Sequence, residues 1–92
     1  MRFFAAILTE KDKEKSDQYR PMHKDFLQRM KSEKKVIMYG KYGTDKGIAV
    51  YVANDIEEAT SLLKQDPYIE MDARDWEIHE WELVSAFDLT FK

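Results

Sequence analysis

Residues 2–9, Arg-Phe-Phe-Ala-Ala-Ile-Leu-Thr, carry apolar side chains on both parities of an extended chain: Phe3, Ala5 and Ile7 on one, Phe4, Ala6 and Leu8 on the other. A strand patterned in this way is buried on both faces, so it needs cover on each side of its sheet. Residues 48–53, Ile-Ala-Val-Tyr-Val-Ala, form a second run of the same kind.

Between the two runs the period changes. Tyr19, Met22, Phe26, Leu27 and Met30 fall at the spacing of one helix face. Pro21 lacks an N–H and clashes with the preceding turn, so the regular helix is predicted to begin near Pro21, with 17–20 as an entry turn. The alternating charges of 10–17 read as a solvated loop. The polar run 31–35 ends the helix, and its basic residues suit a C-terminus. Residues 36–39 read as a short strand. The three glycines, Gly40, Gly43 and Gly47, follow closely, and 43–47 reads as a hairpin turn. No GK[ST] and no helix follow it, which argues against a phosphate-binding loop.

Asn54 or Asp55 caps a second helix, with Glu58 in capping-box position. Ile56, Ala59, Leu62 and Leu63 supply its buried stripe, and Asp66-Pro67 stops it. A turn through 69–75 leads to a last strand from Trp76 to about Val84. The tail 85–92 holds Phe87, Leu89 and Phe91 and is apolar enough to pack.

The order β-α-β-β-α-β predicts an α+β, ferredoxin-like domain over residues 1–92, with a four-stranded antiparallel sheet in the order 4-1-3-2. The two central strands of that order are the two that are apolar on both parities. Two helices cover only one face of such a sheet. Phe3 or Phe4, Ile48 or Ala49, Val50 or Tyr51, and His79, Trp81 and Leu83 or their opposites remain on the other. So large a patch exceeds what soluble monomers expose, so a homodimer packed sheet face to sheet face is expected.

Composition narrows the function. Fifteen basic against eighteen acidic residues give a net charge of −3, which argues against a nucleic-acid partner. No apolar run reaches the roughly 18 residues of a membrane span, and the opening apolar stretch fades into Glu10-Lys11-Asp12, which reads as a strand rather than a signal peptide. The absence of cysteine excludes disulfides and thiolate zinc sites and suits a reducing cytoplasm, the expected location.

Few residues can carry chemistry. His23 lies one step off the apolar stripe of the first helix, with Arg20 three residues before it. Asp66 follows Leu62 and Leu63 at i+4 and i+3 and so continues the stripe of the second helix. There its charge would oppose the helix dipole. A partly buried carboxylate in that place needs a cation or donor, and His23 on the same sheet face could supply it; the alternative is a plain helix stop before a turn. His79 adds no HxH, HxxxH or HExxH spacing, so no metal site is expected. No GxSxG, cysteine nucleophile or dinucleotide fingerprint is present.

Arg20-Pro21-Met22-His23, Phe26-Leu27, Tyr39-Gly40-Lys41-Tyr42-Gly43, Glu57-Glu58-Ala59, Asp66-Pro67-Tyr68-Ile69 and Trp76-Glu77-Ile78-His79-Glu80-Trp81 together resemble the YCII-related (YciI-like) family. The resemblance runs over nearly the whole chain. It implies a dimeric α+β barrel, similar in architecture to muconolactone isomerases and small antibiotic-type monooxygenases. It also implies a proposed active-site dyad, which falls on His23 and Asp66 here. One branch of the family eliminates chloride from a chlorinated hydroxyquinone. This chain differs from some relatives in its short turn between the second and third strands.

The expected function is that of a cofactor-independent enzyme performing isomerisation, lactone chemistry or elimination on a small cyclic or aromatic-derived metabolite. His23 would be the general base and then acid, since imidazole titrates near neutral pH, and Asp66 would fix its tautomer. Arg20, Gly40 and Tyr68 are the expected substrate contacts, Arg20 for a carboxylate. The alternative is a non-catalytic dimer that binds a small ligand or serves as an interaction module.

Overall fold

A computed structural model describes residues 1–84. Strand β1 (Arg2–Glu10) lies between β3 (Lys46–Ala53) and β4 (Arg74–Trp81), and β2 (Val36–Tyr42) pairs on the outer edge of β3. All three pairings are antiparallel, and the order β2-β3-β1-β4 is the expected 4-1-3-2 read from the other side. The two-sided apolar patterns of β1 and β3 are thereby divided between two faces. Phe4, Ala6, Leu8, Ala49, Tyr51 and Ala53 join the core beneath the helices, together with Phe26, Leu27, Met30 and Leu63. Phe3, Ala5, Ile7, Ile48, Val50 and Val52 alternate with them onto the helix-free face.

Helix α1 (Lys13–Ser32) begins well before the predicted start at Pro21. Asp12 caps it, its carboxylate accepting from the Lys15 amide at 3.0 Å. The charged stretch read as a loop is in fact the end of β1, the cap and the first helical turn. Ser16, fully buried in that turn, donates to the Ala73 carbonyl at 3.4 Å and ties the helix start to the residue just before β4. Pro21 stands inside the helix; the carbonyl it deprives of a partner belongs to exposed Asp17, where water can replace the lost bond. Met22, placed on the apolar stripe by its spacing, is half exposed, because the buried face runs through Ser16, Phe26, Leu27 and Met30.

Three other boundaries differ. Strand β2 continues through Tyr42, which pairs with Lys46, so the turn is Gly43-Thr44-Asp45; Gly43 takes φ +61, the left-handed region that favours glycine. Helix α2 (Ile56–Leu63), capped by Asp55 through the Glu58 amide at 2.8 Å, ends before Asp66. Asp66 instead caps a separate short helix, α3 (Pro67–Glu70), which runs from the expected stop into the segment read as a turn. Strand β4 runs from Arg74 to Trp81 rather than from Trp76 to Val84. The tail 85–92 lies outside the described residues.

Candidate active site

The site forms where α1, the α2–α3 corner and the β2–β3 hairpin meet over the helix-covered face of the sheet. α1 delivers Arg20, His23, Lys24 and Leu27 to it one turn apart. The two-residue link after Lys64 delivers Asp66, since Pro67 is preset for the first position of α3 and leaves Asp66 as its cap.

His23 Nδ1 lies 2.8 Å from Asp66 Oδ1 and 2.9 Å from Oδ2. A carboxylate only accepts, so Nδ1 carries the proton in this bond, and the neutral ring keeps its lone pair on Nε2. No other described residue bonds to the ring, and His23 lines the cavity. Asp66 is 1% exposed. It is held a second time by the Tyr68 amide, which donates to Oδ1 at 2.9 Å. The helix-end penalty expected from the sequence does not arise, because the charge sits at the start of α3 and not at the end of α2.

Tyr68 forms the floor of the pair. Its ring stacks on the His23 imidazole with centroids 4.0 Å apart and planes 20° apart, and the Arg74 guanidinium carbon lies 4.6 Å from its centroid. Arg20 donates to Asp17 at 2.8 Å; that carboxylate, and after it Tyr68, hold the Arg20 guanidinium above its ordinary range. Below them Tyr51 is fully buried, and its hydroxyl has no hydrogen-bond partner among the described residues. Burial first, and the nearby Asp66 charge second, push that phenol far above its usual value.

Beside these groups opens a cavity of about 510 Å³, bounded by Leu8 and Ala49 on the sheet and by the β2–β3 hairpin. That volume is the size of a small-molecule pocket. Its charged lining is mixed but mostly basic, Arg20, Lys24, Lys41, Lys46 and Arg74 against Glu10, Asp45 and Asp66.

The geometry thus gathers His23, Asp66, Arg20, Gly40 and Tyr68 around one cavity. Gly40 contributes backbone, and a Cβ placed there would meet nothing within 4 Å. His79 lies elsewhere: it is exposed, pairs opposite Ala5 on the helix-free face and approaches Glu77 at 3.4 Å. Among the described residues no three His, Cys, Asp or Glu side chains converge as metal ligands. Two groups escape the sequence reading. Arg74 falls inside the segment read as a turn, although its parity with Ile78 would have placed it on the helix side once β4 was started there. Tyr51 reads only as one more strand residue.

A model of the YCII-related domain matches residues 1–82. The chain belongs to the YCII-related family. It is 28% identical over 78 residues to the uncharacterized protein YjpA of Bacillus subtilis (strain 168), covering 84% of this chain and 92% of that protein. Its fold is similar to that of 5-chloro-2-hydroxyhydroquinone dehydrochlorinase (TftG) from Burkholderia phenoliruptrix AC1100, solved with 2,5-dihydroxybenzoquinone. The TM-score is 0.73 at 15% identity, over 87% of this chain and 93% of TftG. In this YCII-related chain, then, the cavity and the His23–Asp66 pair lie on a sheet-and-helix frame shared with a protein that holds a small cyclic ligand.

Proposed function

We propose that this YCII-related protein is a cofactor-independent enzyme that moves a proton on a small cyclic or aromatic-derived metabolite, in an isomerisation, lactone or elimination reaction. The observation that carries the reading is the 2.8 Å bond from His23 Nδ1 to buried Asp66 in the wall of the cavity. With Nδ1–H engaged, Nε2 takes a proton from a carbon next to a carbonyl or enol, leaving an enolate and an imidazolium. Asp66 stabilises that imidazolium and keeps the ring from turning. In an isomerisation Nε2–H returns the proton to another carbon; in an elimination the electron pair expels an anionic leaving group instead. Tyr68 supports the imidazole face, and Arg20 and the Gly40 backbone position substrate.

Solvent deuterium exchange tests the reading. Ring C–H of 2,5-dihydroxybenzoquinone and α-C–H of unsaturated lactones are to be followed by proton NMR, with and without enzyme. Exchange above the buffer rate, lost in His23→Asn, supports proton transfer. Probes that bind without exchanging would instead indicate a ligand-binding module.

The same proposal places the enzyme in a homodimer joined through the helix-free sheet face. Ile48, partly buried, shares that face with Met38 and Trp81, the last two each 42% exposed, and these exposed apolar side chains support a face-to-face pairing. Sedimentation equilibrium is expected to give twice 11.0 kDa, and Met38→Glu to shift the protein toward monomer. No helix among the described residues is long and apolar enough to cross a membrane. The acidic charge balance favours neither a nucleic-acid partner nor a phosphate surface.

A further inference from the structure

Arg74 opens β4 on the face that the helices cover, across from Glu10 of β1, and its side chain lines the cavity that holds His23. Of the other cations there, Lys24 and Lys41 are exposed and hydrated by solvent, and the remaining two are paired. Arg20 is paired with Asp17 at 2.8 Å, and Lys46 lies 3.4 Å from Asp45. Arg74 makes no ion pair among the described residues, not even with its cross-strand neighbour Glu10, and its Nε is buried without a hydrogen-bond partner. Its guanidinium carbon lies 4.6 Å from the centroid of the Tyr68 ring on which His23 also stacks.

A guanidinium resting on an aromatic ring keeps its N–H groups unused, because all of them lie in its own plane. A half-buried cation with unused in-plane donors is an unfinished pair, and buried polar groups in native proteins are nearly always satisfied. The partner that fits a planar fork is a planar anion offering two oxygens. The Tyr68 ring, with Leu8, Leu27 and Ala49 beside it, suits a flat molecule behind that anion.

We infer that Arg74 is the anion anchor of this site. The cavity takes a small planar molecule bearing a carboxylate or an ionised enol or phenol, with its oxygens on the N–H edge of Arg74 and an adjoining carbon presented to His23 Nε2. The last clause rests on the proton-transfer reading above; the anchoring itself concerns binding alone.

The test uses two planar anions, benzoate and 2,5-dihydroxybenzoquinone, whose enol hydroxyls are acidic, beside their neutral counterparts benzamide and hydroquinone. Titration of the native protein is followed by the Arg74 Nε–H resonance and by calorimetry. Each anion is expected to shift that resonance and to bind about tenfold more tightly than its neutral counterpart. Arg74→Gln loses about tenfold in anion affinity and levels anion with neutral, while Arg74→Lys, which keeps charge without the fork, recovers only part of the loss. Lys31→Gln, a charge change away from the cavity, leaves affinity unaltered. An unmoved Nε–H resonance with both anions at millimolar concentration, or a folded Arg74→Gln that binds as the native protein does, overturns the anchor. Because the resonance is read in the native protein, an unstable variant does not obscure the answer. Arg74-dependent binding without deuterium exchange would strike the proton-transfer reading and leave the anchor standing.

Discussion

Asp66 accepts two hydrogen bonds from a position that is 1% exposed, one from His23 Nδ1 at 2.8 Å and one from the Tyr68 amide at 2.9 Å. Replacing it with Ala and with Asn separates what the acceptor does from what the charge does. Asp66→Ala removes the cap of α3 and orphans the buried Tyr68 amide, a loss of about 1–2 kcal/mol. It also frees the His23 Nδ1–H, whose ring is partly exposed to the cavity and can find water, so that loss lies nearer ~1 kcal/mol. Relief of a desolvated carboxylate offsets part of this, leaving a net loss of about 2 kcal/mol. For a domain of this length that corresponds to roughly 8–16 °C in Tm. Asp66→Asn keeps Oδ1 for the Tyr68 amide and offers Nδ2–H to His23 Nδ1, so its loss stays under about 1 kcal/mol. Urea unfolding at one fixed protomer concentration measures both, through the midpoint at constant m. Equal stabilities for the Ala and Asn variants would refute the reasoning, since they would mean that neither bond is maintained in solution.

The tautomer is a separate readout of the same pair: nitrogen NMR of the neutral His23 ring is expected to show Nδ1–H in the native protein and Nε2–H in Asp66→Asn, and an Nε2 lone pair that persists in the variant would show that the residues are uncoupled. Tyr51→Phe removes a buried hydroxyl that has no partner among the described residues, so urea midpoints are expected to stay level or rise by about 1 kcal/mol; a clear loss would reveal a hydrogen bond, direct or through water. Glu80 is held below its ordinary value of 4.5, first by its hydrogen bond from Arg2, so its contribution is full above that value and disappears as pH falls through the lower folded one. In Arg2→Ala that part of the acid dependence of the urea midpoint should vanish; an unaltered profile would show that the pair is not formed.

The strands and their order were legible because parity is a local property with a global meaning. Once β1 and β3 were apolar on both sides they had to be central, and only one order of four strands with right-handed crossovers centres them. The start of α1 was hidden by a proline and a charged run, each acting against its usual sense. Pro21 reads as a boundary, yet its cost of about 3 kcal/mol falls on the carbonyl of exposed Asp17 and is outweighed by packing on both sides. The charged run before it reads as solvent-facing, yet it contains Asp12, a cap, and Ser16, a fully buried hydroxyl bonded to a carbonyl 57 residues away. No local pattern announces that bond. Asp66 was legible as a buried carboxylate in need of a donor, but through a mistaken premise: it was read as the last turn of α2, when Pro67 starts a new helix and makes it a cap. Arg74 was not legible, because its importance lies in an absent partner, which only the assembled fold reveals.

The three glycines of the chain, Gly40, Gly43 and Gly47, all line the cavity, which links stability to function in one hairpin. Glycine inside a strand costs about 0.5–1 kcal/mol relative to alanine, a large share for a domain of this size. The φ of +61 at Gly43 explains one of them. Gly47 is explained by space: its missing side chain would point to the helix-covered face, where a Cβ would stand 3.6 Å from the Gly40 carbonyl and 3.9 Å from Arg74 Nη1. A methyl group there makes ordinary contact, but any longer side chain would press on the Arg74 guanidinium and fill the floor opposite His23. At Gly47 the hairpin therefore gives up strand propensity where a longer side chain would press on the unpaired arginine, as the anchoring role proposed for Arg74 requires.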